Sequence, residues 1–198
     1  MANEPEMYAQ LRVIVDKLVP LSDEEWAIFQ TFFIQKKVDA KTMLTREGQV
    51  ADEIYFIHTG LARLYYTTEN DDQITAFIFS ENLFASCLES FVQQIPSTQN
   101  LETLEPCSLL VLTRDGLERL YNLVPKTNII MRKVMEQRFI SAQRLLSSYI
   151  LSSPQERYEL FAQHYPNLLQ RVPQYILASF LGITPVSLSR IRKRISRS

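Results

Sequence analysis

Apolar positions repeat with a helical period at both ends of the chain and with a strand-like period between them. Leu11, Ile14, Val15 and Leu18 predict a short amphipathic helix over residues 8–18. Ser22-Asp23-Glu24-Glu25 has the form of a capping box, serine at the N-cap and glutamate three residues on, ahead of Trp26, Phe29 and Phe33. From about Val38 the pattern changes. Residues 53–57 and 62–66 read as strands around a turn at Thr59-Gly60, and residues 68–72 read as the next turn. Residues 74–79 and 107–112 follow as further strands. Short strands at this spacing predict a β-sandwich or a barrel-like roll.

After Thr113 the strand pattern ends. Residues 115–123 predict a short helix, and Pro125 suits the first turn of a long one running to about Leu151 with no Pro or Gly inside it. Met131, Met135, Ala142, Leu145 and Tyr149 approximate a helix–helix seam, interrupted by Arg138. Roughly 27 residues at ~1.5 Å each reach ~40 Å, more than one small domain needs, so the helix is expected to serve partly as a dimer seam. Ser153-Pro154-Gln155-Glu156 is a second capping box with proline at N1, and Pro166 stops the helix it starts.

The last segment predicts two short helices around a glycine. Residues 173–181 carry Ile176/Phe180 and Leu177/Leu181 as i,i+4 pairs, Gly182 supplies the turn, and Ile183 is placed to plug between the helices. Thr184 is a natural N-cap and Pro185 a natural N1 for the second helix. On that helix Leu188, Ile191 and Ile195 share an inward side, Val186, Ser189, Arg190, Lys193 and Arg197 the opposite side, and Arg192 and Arg194 lie on the flanks. Helix N-terminal N–H groups near Thr184 and Ser187 favour a phosphate. This is the arrangement of a DNA-binding helix-turn-helix.

Charge sharpens that reading. The 198 residues carry a formal net charge of −1, yet the stretch from Arg171 to Ser198 holds six basic residues and no acidic one. A basic tip on an acidic body points to a polyanionic partner. Composition excludes other classes. Two cysteines, Cys87 and Cys107, are too few for a four-cysteine zinc or iron–sulfur site, and His58 and His164 have no ligand spacing. No G-x-S-x-G elbow and no phosphate-binding G-x-x-x-x-G-K-[ST] loop occurs, so nothing supports an enzyme, and no cofactor is expected. No apolar run approaches the ~18–20 residues of a membrane span, and the first residues lack the features of a secretory signal. A cytoplasmic protein without a membrane partner is expected.

These segments together resemble the Crp/Fnr family of bacterial transcription regulators over nearly the whole chain. Met43-Leu44-Thr45-Arg46-Glu47-Gly48, Ile54-Tyr55-Phe56-Ile57-His58-Thr59-Gly60 and Ala62-Arg63-Leu64-Tyr65-Tyr66 are similar to the first strands of that family's cyclic-nucleotide-binding-type roll. The stretch Leu181-Gly182-Ile183-Thr184-Pro185-Val186-Ser187-Leu188-Ser189-Arg190-Ile191 resembles its helix-turn-helix, most like that of the short regulators found in Bacteroidetes. The resemblance implies an α+β chain in three parts. Residues 1–123 form a cyclic-nucleotide-binding-like sensor domain, a β-roll of jelly-roll type with flanking helices. Residues 124–151 form the dimerisation helix, and residues 152–198 a winged-helix-like helix-turn-helix domain. The sequence stops at Ser198, so most of the family's wing is expected to be missing.

Double-stranded DNA, a second copy of the chain, RNA polymerase and an unidentified small-molecule effector are the implied partners. Thr184, Pro185, Val186, Ser187, Ser189, Arg190, Arg192, Lys193 and Arg194 are the implied DNA-binding residues. Phe84, Ala85, Ser86, Cys87, Ser97 and Thr98 stand where the family holds its effector. Two departures matter there and on the reading helix. The family's Gly-Glu pair and cassette arginine are replaced, and no arginine occurs between Arg63 and Arg114. A buried phosphate without a cationic partner is costly, so the expected effector is something other than cyclic AMP, or none. The family's acidic base reader is replaced by Val186, which cannot accept a hydrogen bond from cytosine N4 but offers an apolar contact. The competing reading is a small-molecule sensor module whose basic tip no longer binds DNA.

Overall fold

The computed structural model describes residues 4–195. Its elements are, in order, helices α1 (Glu4–Leu18) and α2 (Asp23–Gln30), and strands β1 (Phe33–Val38), β2 (Met43–Thr45), β3 (Glu53–Thr59), β4 (Ala62–Thr67), β5 (Gln73–Phe79) and β6 (Phe84–Ala85). Helix α3 (Leu88–Gln93), strands β7 (Asn100–Thr103) and β8 (Cys107–Thr113), and helices α4 (Arg114–Leu123) and α5 (Lys126–Leu151) follow. Helices α6 (Pro154–His164), α7 (Leu168–Arg171), α8 (Gln174–Phe180) and α9 (Pro185–Ile195) end the chain. They gather into two units: the chain up to Tyr65 with Ile78–Glu136, and Tyr66–Phe77 with the chain from Gln137 onward.

The first unit is a β-roll with helices against it. Two four-stranded sheets, of orders β1-β8-β3-β6 and β2-β7-β4-β5, make up the roll, and the outer part of the β4–β5 hairpin, residues 66–77, belongs to the second unit. Strand β8 lies between β1 and β3, so that Leu112 faces both Phe33 and Ile54 in the ladders. Helix α1 packs on β3 and α4 on β8. With both faces covered, β3 and β8 read as continuous apolar runs, and Tyr55, Phe56, Leu109 and Leu110 are fully buried. Each such large side chain contributes ~1.5–3 kcal/mol of burial. Met7, Leu11 and Val15 form the buried stripe of α1 at i,i+4 spacing. The capping box at Ser22 is complete, the Glu25 N–H donating to Ser22 Oγ and the Ser22 N–H to Glu25 Oε2.

Phe33 corrects the sequence reading. Its spacing continues that of Trp26 and Phe29, but α2 ends at Gln30 and Phe33 opens β1 opposite Leu112. The ring still lies against Phe29, tilted with centroids 5.1 Å apart, so the apolar contact was legible although the element was not.

The second unit holds the small helices. Ile176, Leu177, Ala178, Leu181, Leu188 and Ile191 form its buried centre with Phe161, Leu168 and Val172. Phe161 meets Phe180 edge-on at 5.6 Å. The second capping box is also complete, with Glu156 returning its carboxylate to the Ser153 N–H at 2.7 Å. From β5, the Thr75 N–H donates to Ser179 Oγ, which donates in turn to Gln73 O, both at 2.9 Å. Arg138 of α5 lies over the Phe77 ring at 3.6 Å.

Helix α5 leaves a second apolar row more exposed than the one its sequence pattern marks. Met131 is buried, Met135, Ala142 and Leu145 are half-buried, and the Tyr149 hydroxyl donates to Phe180 O. Among the apolar residues of α5 that stand in solvent are Phe139 (63% exposed), Leu146 (56%) and Ile150 (71%). With Gln143 they step by four, three and four along the helix, the spacing of a helix–helix seam.

Candidate nucleic-acid interface

Local chemistry explains the turn that presents α9. Helix α8 ends in a Schellman motif, the Ile183 N–H donating to Ala178 O and the Gly182 N–H to Ser179 O, both at 3.0 Å. Gly182 supplies the required positive φ of +65°. Two side chains hold this turn from behind. Tyr149 donates to Phe180 O, and its ring lies so close that a Cβ at Gly182 would come within 2.8 Å of it. Arg157 donates from Nε to Leu181 O at 2.9 Å and from Nη1 to Ser152 O at 2.8 Å. Burial pushes the Tyr149 phenol pKa up, which keeps it a proton donor to the Phe180 carbonyl.

Thr184 caps α9 as its sequence suggests: its Oγ1 accepts from the Ser187 N–H at 3.2 Å and lies 2.9 Å from Ser187 Oγ. Leu188 and Ile191 are buried and Ile195 is half-buried, so the inward face is the predicted one. Val186, Ser189, Arg190 and Lys193 are exposed together with Thr184 and Pro185. Arg197 lies outside the described residues. Two of the flanking cations have structural partners on α6. The Arg192 guanidinium is half-buried, 5.7 Å from the Tyr158 ring centre, and Arg194 Nη1 donates to Gln155 Oε1 at 3.1 Å. They brace α9 against its neighbour, while Arg190 and Lys193 face outward.

Two residues of this surface escaped the sequence reading. Gln174 and Tyr175 at the start of α8 line one groove with Pro185, Val186, Ser189 and Arg190. The signal was available: Tyr175 is a large ring outside the i,i+4 apolar pairs of its own helix, and it is 57% exposed.

The residues read as an effector site lie together in the first unit, and the side-chain polar atoms of Ser86, Cys87 and Ser97 are bonded to backbone. Ser86 Oγ donates to Glu53 O at 3.1 Å, Cys87 Sγ to Gln99 O at 3.6 Å, and Ser97 Oγ to Gln99 O at 2.8 Å. Phe84 is half-buried beside Phe56, Ala85 is buried and Thr98 is exposed. Between Cys87 and Gln94 the chain forms α3, closed by Gln94 in the left-handed region and by its amide donating to Ala51 O and Phe91 O. The arginines on either side are engaged elsewhere. Arg63 is buried, pairs with Glu102 at 3.2 Å and stacks on Tyr65 at 4.1 Å. Arg114 Nη1 donates to Phe91 O at 2.6 Å. Among the described residues no group of three or more His, Cys, Asp or Glu side chains could hold a metal ion. Among the described residues no helix is long and apolar enough to cross a membrane.

A β-roll, a long helix and a basic helix-turn-helix follow one another along the chain, and comparison with known proteins finds the same succession. Residues 35–123 match the cyclic nucleotide-binding domain family. The anaerobic regulatory protein of Bacillus subtilis (strain 168) is 24% identical over 99 residues, which are 50% of this chain and 42% of that protein, so the match spans less than half of that relative. Among solved structures, the c-di-GMP-responsive global regulator of Xanthomonas campestris superposes with a TM-score of 0.69 at 16% identity, covering 89% of this chain and 92% of that one. A structure from Eubacterium rectale assigned to the Crp/Fnr family of transcriptional regulators gives 0.69 at 13% identity, covering 89% and 84%. Residues 35–123 are similar to a cyclic nucleotide-binding domain, and the chain has the fold of solved Crp/Fnr transcription regulators.

Proposed function

We propose that this protein is a homodimeric, sequence-specific DNA-binding transcription regulator of the Crp/Fnr type, acting in the cytoplasm with RNA polymerase as a further partner. The observation that carries the reading is α9. It is capped by Thr184, packed inward through Leu188 and Ile191, and turns Val186, Ser189, Arg190 and Lys193 to solvent. A helix that buries its aliphatics and presents cations on the opposite face is suited to the major groove. The effector is something other than cyclic AMP, or there is none. The engagement of Ser86, Cys87 and Ser97 with backbone and of Arg63 with Glu102 supports this, because a cyclic phosphate would lack a cationic partner. Calorimetry is expected to find no binding of cyclic AMP at micromolar concentration, and micromolar or tighter binding would overturn that part.

Selection of bound fragments from genomic DNA at fixed salt tests the reading as a whole. One enriched palindromic sequence is expected. Equal recovery of all fragments would instead favour a sensor module with an inactive tip.

Dimerisation is proposed through the exposed row Phe139, Leu146 and Ile150, because uncovered apolar side chains in a regular seam are stabilised by a matching copy. Leu146→Glu is expected to convert the dimer to a species near the chain mass of 23.1 kDa in light scattering, since the seam would bury an unpaired carboxylate. A wild-type mass near that value would refute the dimer.

A further inference from the structure

The groove lined by Gln174, Tyr175, Pro185, Val186, Ser189 and Arg190 is chemically divided. At one end Pro185 and Val186 offer aliphatic surface with no side-chain donor or acceptor, and Val186 is 59% exposed. At the other end, one helical turn on, the Arg190 guanidinium faces solvent. The Gln174 amide donates to Pro185 O at 3.4 Å, which directs it across the base of the groove. The surrounding segment from Arg171 to Ser198 carries six basic residues and no acidic one, so a polyanion is the complementary occupant. In the major groove of a duplex the apolar group presented by a base is the C5-methyl of thymine, and guanine presents the paired acceptors that suit an arginine. Four residues along α9 advance ~6 Å, close to two base steps of ~3.4 Å.

Building on the DNA-binding reading above, we infer that each half-site contains a thymine whose C5-methyl seats against Val186 and Pro185, about two base steps from the guanine paired with Arg190. Val186 is then a specificity-determining residue. It rewards the methyl group and leaves the amino group of a cytosine without an acceptor, so a T·A pair is chosen over C·G at that position.

The test uses the full-length protein and a duplex selected from a random pool. Each thymine is replaced in turn by deoxyuridine, which removes the methyl and keeps the pairing and the carbonyl acceptors. At one position per half-site the change is expected to weaken binding about fourfold, and about fifteenfold when made in both, the magnitude of one buried methyl group per site. Val186→Ala, a change at an exposed helical position that the fold tolerates, is expected to bind the thymine and uracil duplexes alike. Arg190→Ala is expected to bind both more weakly while still preferring thymine. A selected duplex in which no thymine can be exchanged without equal affinity would overturn the inference and leave DNA binding intact. So would a Val186→Ala protein that keeps the full thymine preference. A pool that yields no preferred duplex would overturn the DNA-binding reading itself, and this inference with it.

Discussion

Arg190→Ala is expected to cost ~2–6 kcal/mol on the selected operator and much less on a scrambled duplex. The residue is exposed, one turn in from the Thr184 cap, on the side of α9 opposite Leu188 and Ile191. A guanidinium there can donate to guanine O6 and N7 together, a pair worth ~1–3 kcal/mol of discrimination, and a two-fold dimer loses it at both half-sites. Lys193 provides the contrast. A lysine that meets phosphate adds affinity without sequence, so Lys193→Ala is expected to weaken both duplexes alike and to flatten the salt dependence. Affinities for the two duplexes across a salt series separate these behaviours. If Arg190→Ala weakens both equally, Arg190 does not read a base.

Gly60→Ala is expected to destabilise the first unit by ~3–5 kcal/mol, a large share of the ~5–15 kcal/mol that holds a domain folded. Gly60 sits at φ +105° in the turn between β3 and β4, and its N–H donates to Glu81 Oε1 at 3.0 Å. A Cβ at that position would stand 2.5 Å from Cys107 Sγ, 2.7 Å from Pro106 O and 3.0 Å from Cys107 Cα. Two of those atoms are backbone at the start of β8, which is paired on both sides and cannot retreat without disturbing β1 and β3. Adding Cys107→Ala removes the sulfur but not the carbonyl, so it is expected to restore only part of the loss. Urea denaturation checks both variants. A Gly60→Ala midpoint matching that of the wild type would mean that the turn relaxes and that the close approach carries no energetic weight.

Interactions within a few residues were legible before the fold was known. The capping boxes at Ser22 and Ser153 close as their residue types require, and the Gly182 turn and Thr184 cap form where glycine and threonine stand. Elements defined by distant partners were not legible. Strand β7 has no alternation of its own and exists because β2 and β4 lie on either side of it, and β6 is two residues paired with β3. Helix α3 has no helical pattern of its own in the sequence, because its stabilising bonds come from elsewhere: Arg114 donates to Phe91 O, and the Ala51 N–H donates to Ser90 Oγ.

For this protein, the sequence by itself determined the succession of roll, long helix and helix-turn-helix, and the sorting of α9 into an aliphatic side and a cationic side. Both follow from hydrophobic period and capping, which act over one or two helical turns. Only the tertiary structure decided which apolar row of α5 remains uncovered, since Phe139, Leu146 and Ile150 compete with Met135, Ala142 and Leu145 on nearly equal terms in the pattern. It also decided that Arg192 and Arg194 brace α9 through Tyr158 and Gln155, and that Gln174 and Tyr175 line one groove with Val186 and Arg190. Periodicity orders side chains around one helix axis. The neighbour that each side meets is set by packing between residues far apart in the chain.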